Sequence, residues 1–254
     1  MKSGVILLVC AFGIQAQFVG VSHRGKITFT GGANPAFVDK CDRSIYNTAI
    51  TSCTISNVTT GQLIVVTGYW GGAPTFTSFT DNCGSGGASD LFTSTTNTAG
   101  YSKGALGYAL IGANTATCQI NFSLSAGSGV TTIAVNTYSG VSQTAPVAAG
   151  QASIVIRNTP GAGADAVVAG AVTPTQTATT LAAFMVDLSG SATTLSAGTG
   201  YTQRISDPNG GSFGQGVVSE DKSIAGTTAT SATFTDGAGA TASMLVTALV
   251  IQHP

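Results

Sequence analysis

Apolar residues in this chain fall in short runs, some alternating with polar neighbours and some unbroken. Gly, Asn, Asp or Ser interrupts each run after a few positions. That spacing belongs to strands; the 3.6-residue helical period is nearly absent. It predicts strands near residues 26–30, 51–57, 62–70, 75–80, 106–111, 117–125 and 131–138. A second set is predicted near 153–157, 180–188, 202–205, 216–219, 229–235 and 242–252. In Cys118-Gln119-Ile120-Asn121-Phe122-Ser123-Leu124 every second residue is apolar, so Gln119, Asn121 and Ser123 should face outward from a half-buried strand. Leu63-Ile64-Val65-Val66 and Met244-Leu245-Val246 are continuous and suit central strands covered on both faces. Asp81-Asn82-Cys83-Gly84, Asp207-Pro208-Asn209-Gly210 and Asp236-Gly237 supply turn chemistry between them. The pattern predicts an all-β fold, a two-sheet antiparallel β-sandwich.

Residues 140–180 are the least patterned stretch and carry Ala145-Pro146, Pro160-Gly161-Ala162-Gly163 and Pro174. They read as a long crossover near 141–179, with one or two strands embedded, inside a single domain over 17–254; a domain boundary is the alternative. The halves also echo each other. Strand, glycine-containing loop and strand recur over 62–80 and 180–197, as expected if one unit serves in both sheets of a sandwich.

Composition sets the surface. Charged residues make up only 7% of the chain, and Glu220 is its single glutamate; about 25% is usual. With a net charge of −1 and scattered basic residues, nothing supports phosphate neutralisation, which excludes nucleic acid as an expected partner. Met1-Lys2, the apolar run 4–14 and Gln15-Ala16-Gln17 read as a secretory signal over 1–16. No later stretch is apolar and long enough for a transmembrane helix. The expected setting is therefore secreted, extracellular or cell-surface. Cys41, Cys53, Cys83 and Cys118 remain after the signal, and an even number in an exported chain points to disulfides. Of the three possible connectivities the local one, Cys41–Cys53 with Cys83–Cys118, is preferred. Without CxxC spacing or a nearby histidine, zinc is the poorer reading.

Several segments occur in a familiar order. Gly61-Gln62-Leu63-Ile64-Val65-Val66 runs to Trp70, and Ser78-Phe79-Thr80-Asp81-Asn82-Cys83-Gly84 follows. Then come Tyr138-Ser139-Gly140, residues 197–204, Glu220-Asp221 and the apolar run 244–250. In this order the chain resembles bacterial secreted and cell-surface β-sandwich domains of jelly-roll or concanavalin-like shape. Thr137 stands where an acidic residue often precedes the Tyr-Ser-Gly element. The resemblance implies a jelly-roll-like fold and an exported setting. It implies no activity and no catalytic residues.

Candidate chemistry is sparse. His23 and His253 lie in no motif, so a Ser-His-Asp arrangement is not expected. Glycoside hydrolysis needs two facing carboxyls. The candidates are Asp81, Asp90, Asp187, Asp207, Glu220 and Asp221, but the adjacent Glu220 and Asp221 point to opposite faces of a strand. One of these two is expected to form a structural ion pair with Arg204. Calcium, which takes hard oxygen ligands, suits Asp81 with Asn82 and Asp207 with Asn209. Aromatic contact with a glycan would fall to Trp70, Tyr69, Tyr101 and Tyr201. Asn57 and Asn121 sit in N-glycosylation patterns.

The expected function is non-catalytic: adhesion, matrix or glycan binding. Net charge near zero favours association, so a self-assembling subunit of a filament, sheath or coat is the alternative, with a homo-oligomer or polymer as partner. A polysaccharide-degrading jelly-roll enzyme is a third reading.

Overall fold

Residues 34–157, 165–187, 195–208, 215–236 and 244–254 are described by the computed structural model of the protein. The signal segment, His23, the strand expected at 26–30 and Asn209 lie outside these residues.

Sixteen strands are found among the described residues, and they form two series of eight. The first runs β1 (Ala36–Tyr46), β2 (Ile50–Val58), β3 (Leu63–Gly71), β4 (Phe76–Asp81), β5 (Thr93–Ala99), β6 (Ser102–Leu110), β7 (Thr115–Leu124) and β8 (Val130–Ser139). The second runs β9 (Val147–Arg157), β10 (Asp165–Val168), β11 (Thr179–Asp187), β12 (Leu195–Ala197), β13 (Thr202–Asp207), β14 (Gly216–Ile224), β15 (Thr233–Asp236) and β16 (Met244–Ile251). The first series makes a five-stranded sheet in the order β1-β8-β3-β6-β5 and a three-stranded sheet β2-β7-β4. The second makes β9-β16-β11-β14-β13 and β10-β15-β12. Each strand of the second series holds the position of the strand eight before it. All pairings are antiparallel. The all-β antiparallel sandwich with jelly-roll strand order is therefore present, and it is present twice.

This changes the meaning of the sequence echo. Residues 62–80 and 180–197 cover β3–β4 and β11–β12, equivalent pairs in two sandwiches and not one unit shared by two sheets. The supposed crossover holds β9 and β10, and only residues 140–146 join the two series.

The two five-stranded sheets face each other, so the layers run three, five, five and three strands. Side-chain alternation along β3 explains why. Ile64, Val66 and Trp70 enter the core against the three-stranded sheet, with Ile55, Phe79, Ile120 and Phe122. Leu63 and Val65 enter the central core with Tyr138, Phe184, Val217 and Leu249 from both series. In β11, Leu181, Ala183 and Met185 face the outer core of the second sandwich, while Ala182 and Phe184 face the central one. A strand between two cores has no polar face. Hence β3, β11 and β16 are buried at every position, as their unbroken apolar runs imply.

Both expected disulfides form. Cys41–Cys53 joins β1 to β2 across the two sheets, with Cα atoms 5.8 Å apart. Cys83–Cys118 ties the loop after β4 to β7, with Cα atoms 5.2 Å apart. No helix among the described residues is long and apolar enough to cross a membrane.

Candidate functional site

Aromatic residues expected at a binding rim divide sharply. Trp70 is 1% exposed and its indole N–H donates to the Pro74 carbonyl at 2.8 Å. Tyr69 is buried with Val186 and Leu245, and its hydroxyl donates to Ser102 Oγ at 3.2 Å. Neither presents a ring to a ligand, because both lie on a strand closed on its two faces. Tyr201 is half-buried under Lys222, with its hydroxyl donating to the Ser231 carbonyl at 2.8 Å. Tyr101 alone keeps an open ring, 66% exposed, in the Gly100-Tyr101 link between β5 and β6. A side chain at Gly71 would collide with that ring, and Gly129 lies by its hydroxyl. Tyr46, 57% exposed, stands opposite Val130, next along the chain from Gly129. One end of the first sandwich thus shows Tyr101 over Gly71 and Gly129, with a second exposed tyrosine, Tyr46, at the end of β1.

Carboxylates are also sorted by the fold. Arg204 donates to both oxygens of Asp221, at 2.8 and 3.0 Å, and its guanidinium lies 4.4 Å over the Phe37 ring. The expected ion pair is therefore Arg204–Asp221, and it sits where β13 of the second sandwich meets β1 of the first. Glu220, one residue earlier, points the other way and is fully buried. It accepts the Gly198 N–H at 2.7 Å on Oε2, while Oε1 has no partner. Burial is the main cause that pushes its carboxyl up to about 7. On β1, Asp42 is pushed up to about 6, first by burial and then by the charge of Asp207, to which it is hydrogen-bonded; Lys40 opposes the rise. Asp207 is thus engaged with Asp42. Asp187 is buried at the end of β11.

The loop after β4 holds the remaining acids. Asp81 Oδ1 accepts the N–H groups of Cys83 and Asp90, both at 3.0 Å. Both Asp90 oxygens accept the Gly112 N–H, at 3.1 Å each. Asn82 is turned away, its Oδ1 accepting the Gln119 N–H at 2.8 Å. Asp90 was not expected to join Asp81; the nine-residue separation concealed that the loop folds back through a single 3-10 turn, Ser85–Gly87. Of the glycosylation sequences, Asn57 is exposed, and Asn121 is half-buried with its amide donating to Thr80 at 3.5 Å.

One further feature was not legible as a site at all. β5, Thr-Ser-Thr-Thr-Asn-Thr-Ala, is an outer edge, and its first six residues are exposed. Natural edge strands are usually blunted by charge, proline or a bulge. β1 carries Asp39, Lys40, Asp42 and Arg43 and a register break at Phe37/Lys40. β13 carries Arg204 and Asp207 and a break at Gln203/Ile205. β9 has Gly150 at φ 69 and a break opposite Leu249/Ile251. β5 has none of these, and its pairing with β6 is continuous from Thr93 to Ala99. Asn97 anchors it, donating to the Ile154 carbonyl at 2.9 Å. A shallow groove of about 170 Å³ beside it is lined by Thr93, Ser94, Thr95, Tyr108, Val147 and Gln151, among others.

Compared with known proteins, the chain matches no protein family, no curated protein and no solved structure.

Proposed function

We propose that the protein is an exported, non-catalytic structural β-sandwich that associates with further copies of itself edge to edge through β5. The observation that carries this reading is the unguarded edge: seven regular residues with no charge, no proline and no bulge. An edge strand offers a row of N–H and C=O groups, and a second strand satisfies them by extending the sheet. The low overall charge, 7% of residues, leaves little repulsion between copies. Thr96 and Thr98 are exposed, lie outside the groove lining and flank the anchoring Asn97, so they can change without removing either the groove or the anchor.

Association is therefore expected to be concentration-dependent in sedimentation velocity. Thr96→Lys with Thr98→Lys places like charges on facing edges and should give monomers at concentrations where the parent chain associates. A parent chain that stays monomeric at millimolar concentration rules the reading out, as does an unchanged distribution in the double variant.

A second reading, adhesion to a glycan or matrix surface, is favoured by the exposed Tyr101 ring over Gly71 and Gly129 and by the exposed Tyr46. Flat aromatic rings with a polar tip suit such contacts. Tyr101→Ala should lower retention on a glycan array at least tenfold while leaving the unfolding midpoint within a few degrees. Retention that is absent in the parent chain, or equal in the variant, removes this reading.

A further inference from the structure

We propose that Asp81 and Asp90 form a divalent cation site, suited to calcium, in the disulfide-closed loop between β4 and β5. A carboxylate oxygen of each residue lies within 4.8 Å of the other, the spacing at which one ion bridges two acids. The third group there, Cys83, is held in the disulfide with Cys118 and offers no thiolate. Asp81 is 5% exposed, and its Oδ2 is buried with no hydrogen-bond partner, while Oδ1 already serves two N–H groups. A buried carboxylate oxygen left without a donor costs free energy that a cation would recover. Among the described residues no Lys, Arg or His forms an ion pair with Asp81 or Asp90, so no side-chain cation there neutralises this pair.

The surroundings keep room for the two acids. A side chain at Gly112 would come within 2.7 Å of Asp90 Oδ1, and one at Gly84 within 3.2 Å of the same atom. The Gly84 N–H donates to the Ala88 carbonyl at 2.8 Å and Ser89 Oγ accepts the Asp81 N–H at 3.0 Å, so the loop is organised before any ion arrives. Burial pushes both carboxyls above the usual range against the N–H groups they accept, and the charge of Asp81 adds to the rise at Asp90. Two carboxylates supply two to four oxygens. Calcium completes six to eight with water, whereas magnesium demands a tighter octahedron. Zinc is disfavoured by the all-oxygen donor set.

The test uses the full, oxidised chain stripped with chelator and titrated with calcium chloride by calorimetry and equilibrium dialysis. One calcium per chain is expected, with a Kd on the order of 10⁻⁴–10⁻³ M, as in extracellular modules. Asp90→Asn and Asp81→Asn should each weaken it at least tenfold. Asparagine keeps an oxygen for the loop N–H groups, so circular dichroism should be unchanged. Asp39→Asn, outside the loop, should bind as the parent does. No saturable uptake by the parent up to 10 mM calcium overturns the site (roughly tenfold above the weak end of that range). Full uptake by the Asp81→Asn, Asp90→Asn double variant overturns it equally.

Discussion

Raising the pH from about 4.5 to 7 is expected to weaken this fold, and Glu220→Gln is expected to abolish most of that loss. Glu220 is fully buried on the face of β14 opposite Asp221, with one oxygen held by Gly198 and the other unpartnered. Its folded value of about 7 lies above the ordinary 4.5. The native state therefore holds the proton more tightly than the unfolded chain. This contribution is fully present below about 4.5 and is lost as pH rises through about 7. A shift of this size corresponds to about 3 kcal/mol. Asp42, at about 6 beside Asp207, adds a smaller term of the same sign because it is partly exposed. Glutamine resembles the protonated acid and keeps an acceptor for the Gly198 N–H. Urea unfolding at pH 4.5, 6 and 8 should show the parent losing stability stepwise and the variant losing clearly less, its remaining loss coming from Asp42, Asp81 and Asp90. The variant should be the more stable of the two at pH 8. A parent chain that gains stability across this window contradicts the assignment.

Phe122→Ala should be the most damaging single truncation in the first sandwich. Its ring is fully buried, with centroids of Phe79, Trp70 and Phe76 at 5.4, 5.6 and 6.0 Å. Removing such a ring costs about 3–5 kcal/mol, from lost transfer energy and the cavity left behind. The midpoint should fall by roughly 10 °C. Gly68 sharpens the test. A Cβ there would lie 2.7 Å from the Phe122 ring, so Gly68→Ala alone should also destabilise. In the Phe122→Ala background the same methyl group meets empty space and should cost little. A double-mutant cycle read by thermal unfolding should give a coupling above about 1 kcal/mol. Strict additivity would show that the two residues do not oppose each other.

Much of this fold was readable because burial leaves a period in the sequence. The alternation over Cys118–Leu124 matches β7 residue by residue, with Gln119 exposed and Ile120 and Phe122 buried. β1 and β5 escaped notice for one physical reason: both are edges. The seven residues of β5 contain no large apolar side chain, and β1 mixes Phe37 and Cys41 with four charges. The duplication was visible only as an echo between β3–β4 and β11–β12, because continuous apolar runs say that a strand is covered twice without saying by what. The same ambiguity placed Trp70 and Tyr69 at a rim. They occupy adjacent positions of a doubly covered strand and point into different cores. For the candidate cation site, Asp81 was legible from its turn chemistry. Asp90 was not, since the fold-back of the loop depends on glycine conformations and on the disulfide.

The central core shared by the two sandwiches also imposes a schedule on synthesis. β8 completes the first sandwich at Ser139, but β16 does not complete the second until Ile251. At roughly 5–20 residues per second, the interval is on the order of ten seconds. Throughout it, the face carrying Leu63, Val65, Leu106 and Tyr138 has no sheet to meet. A nascent chain stalled after residue 146 should accordingly bind a hydrophobic dye and engage holding chaperones, and both signals should vanish once β16 is released.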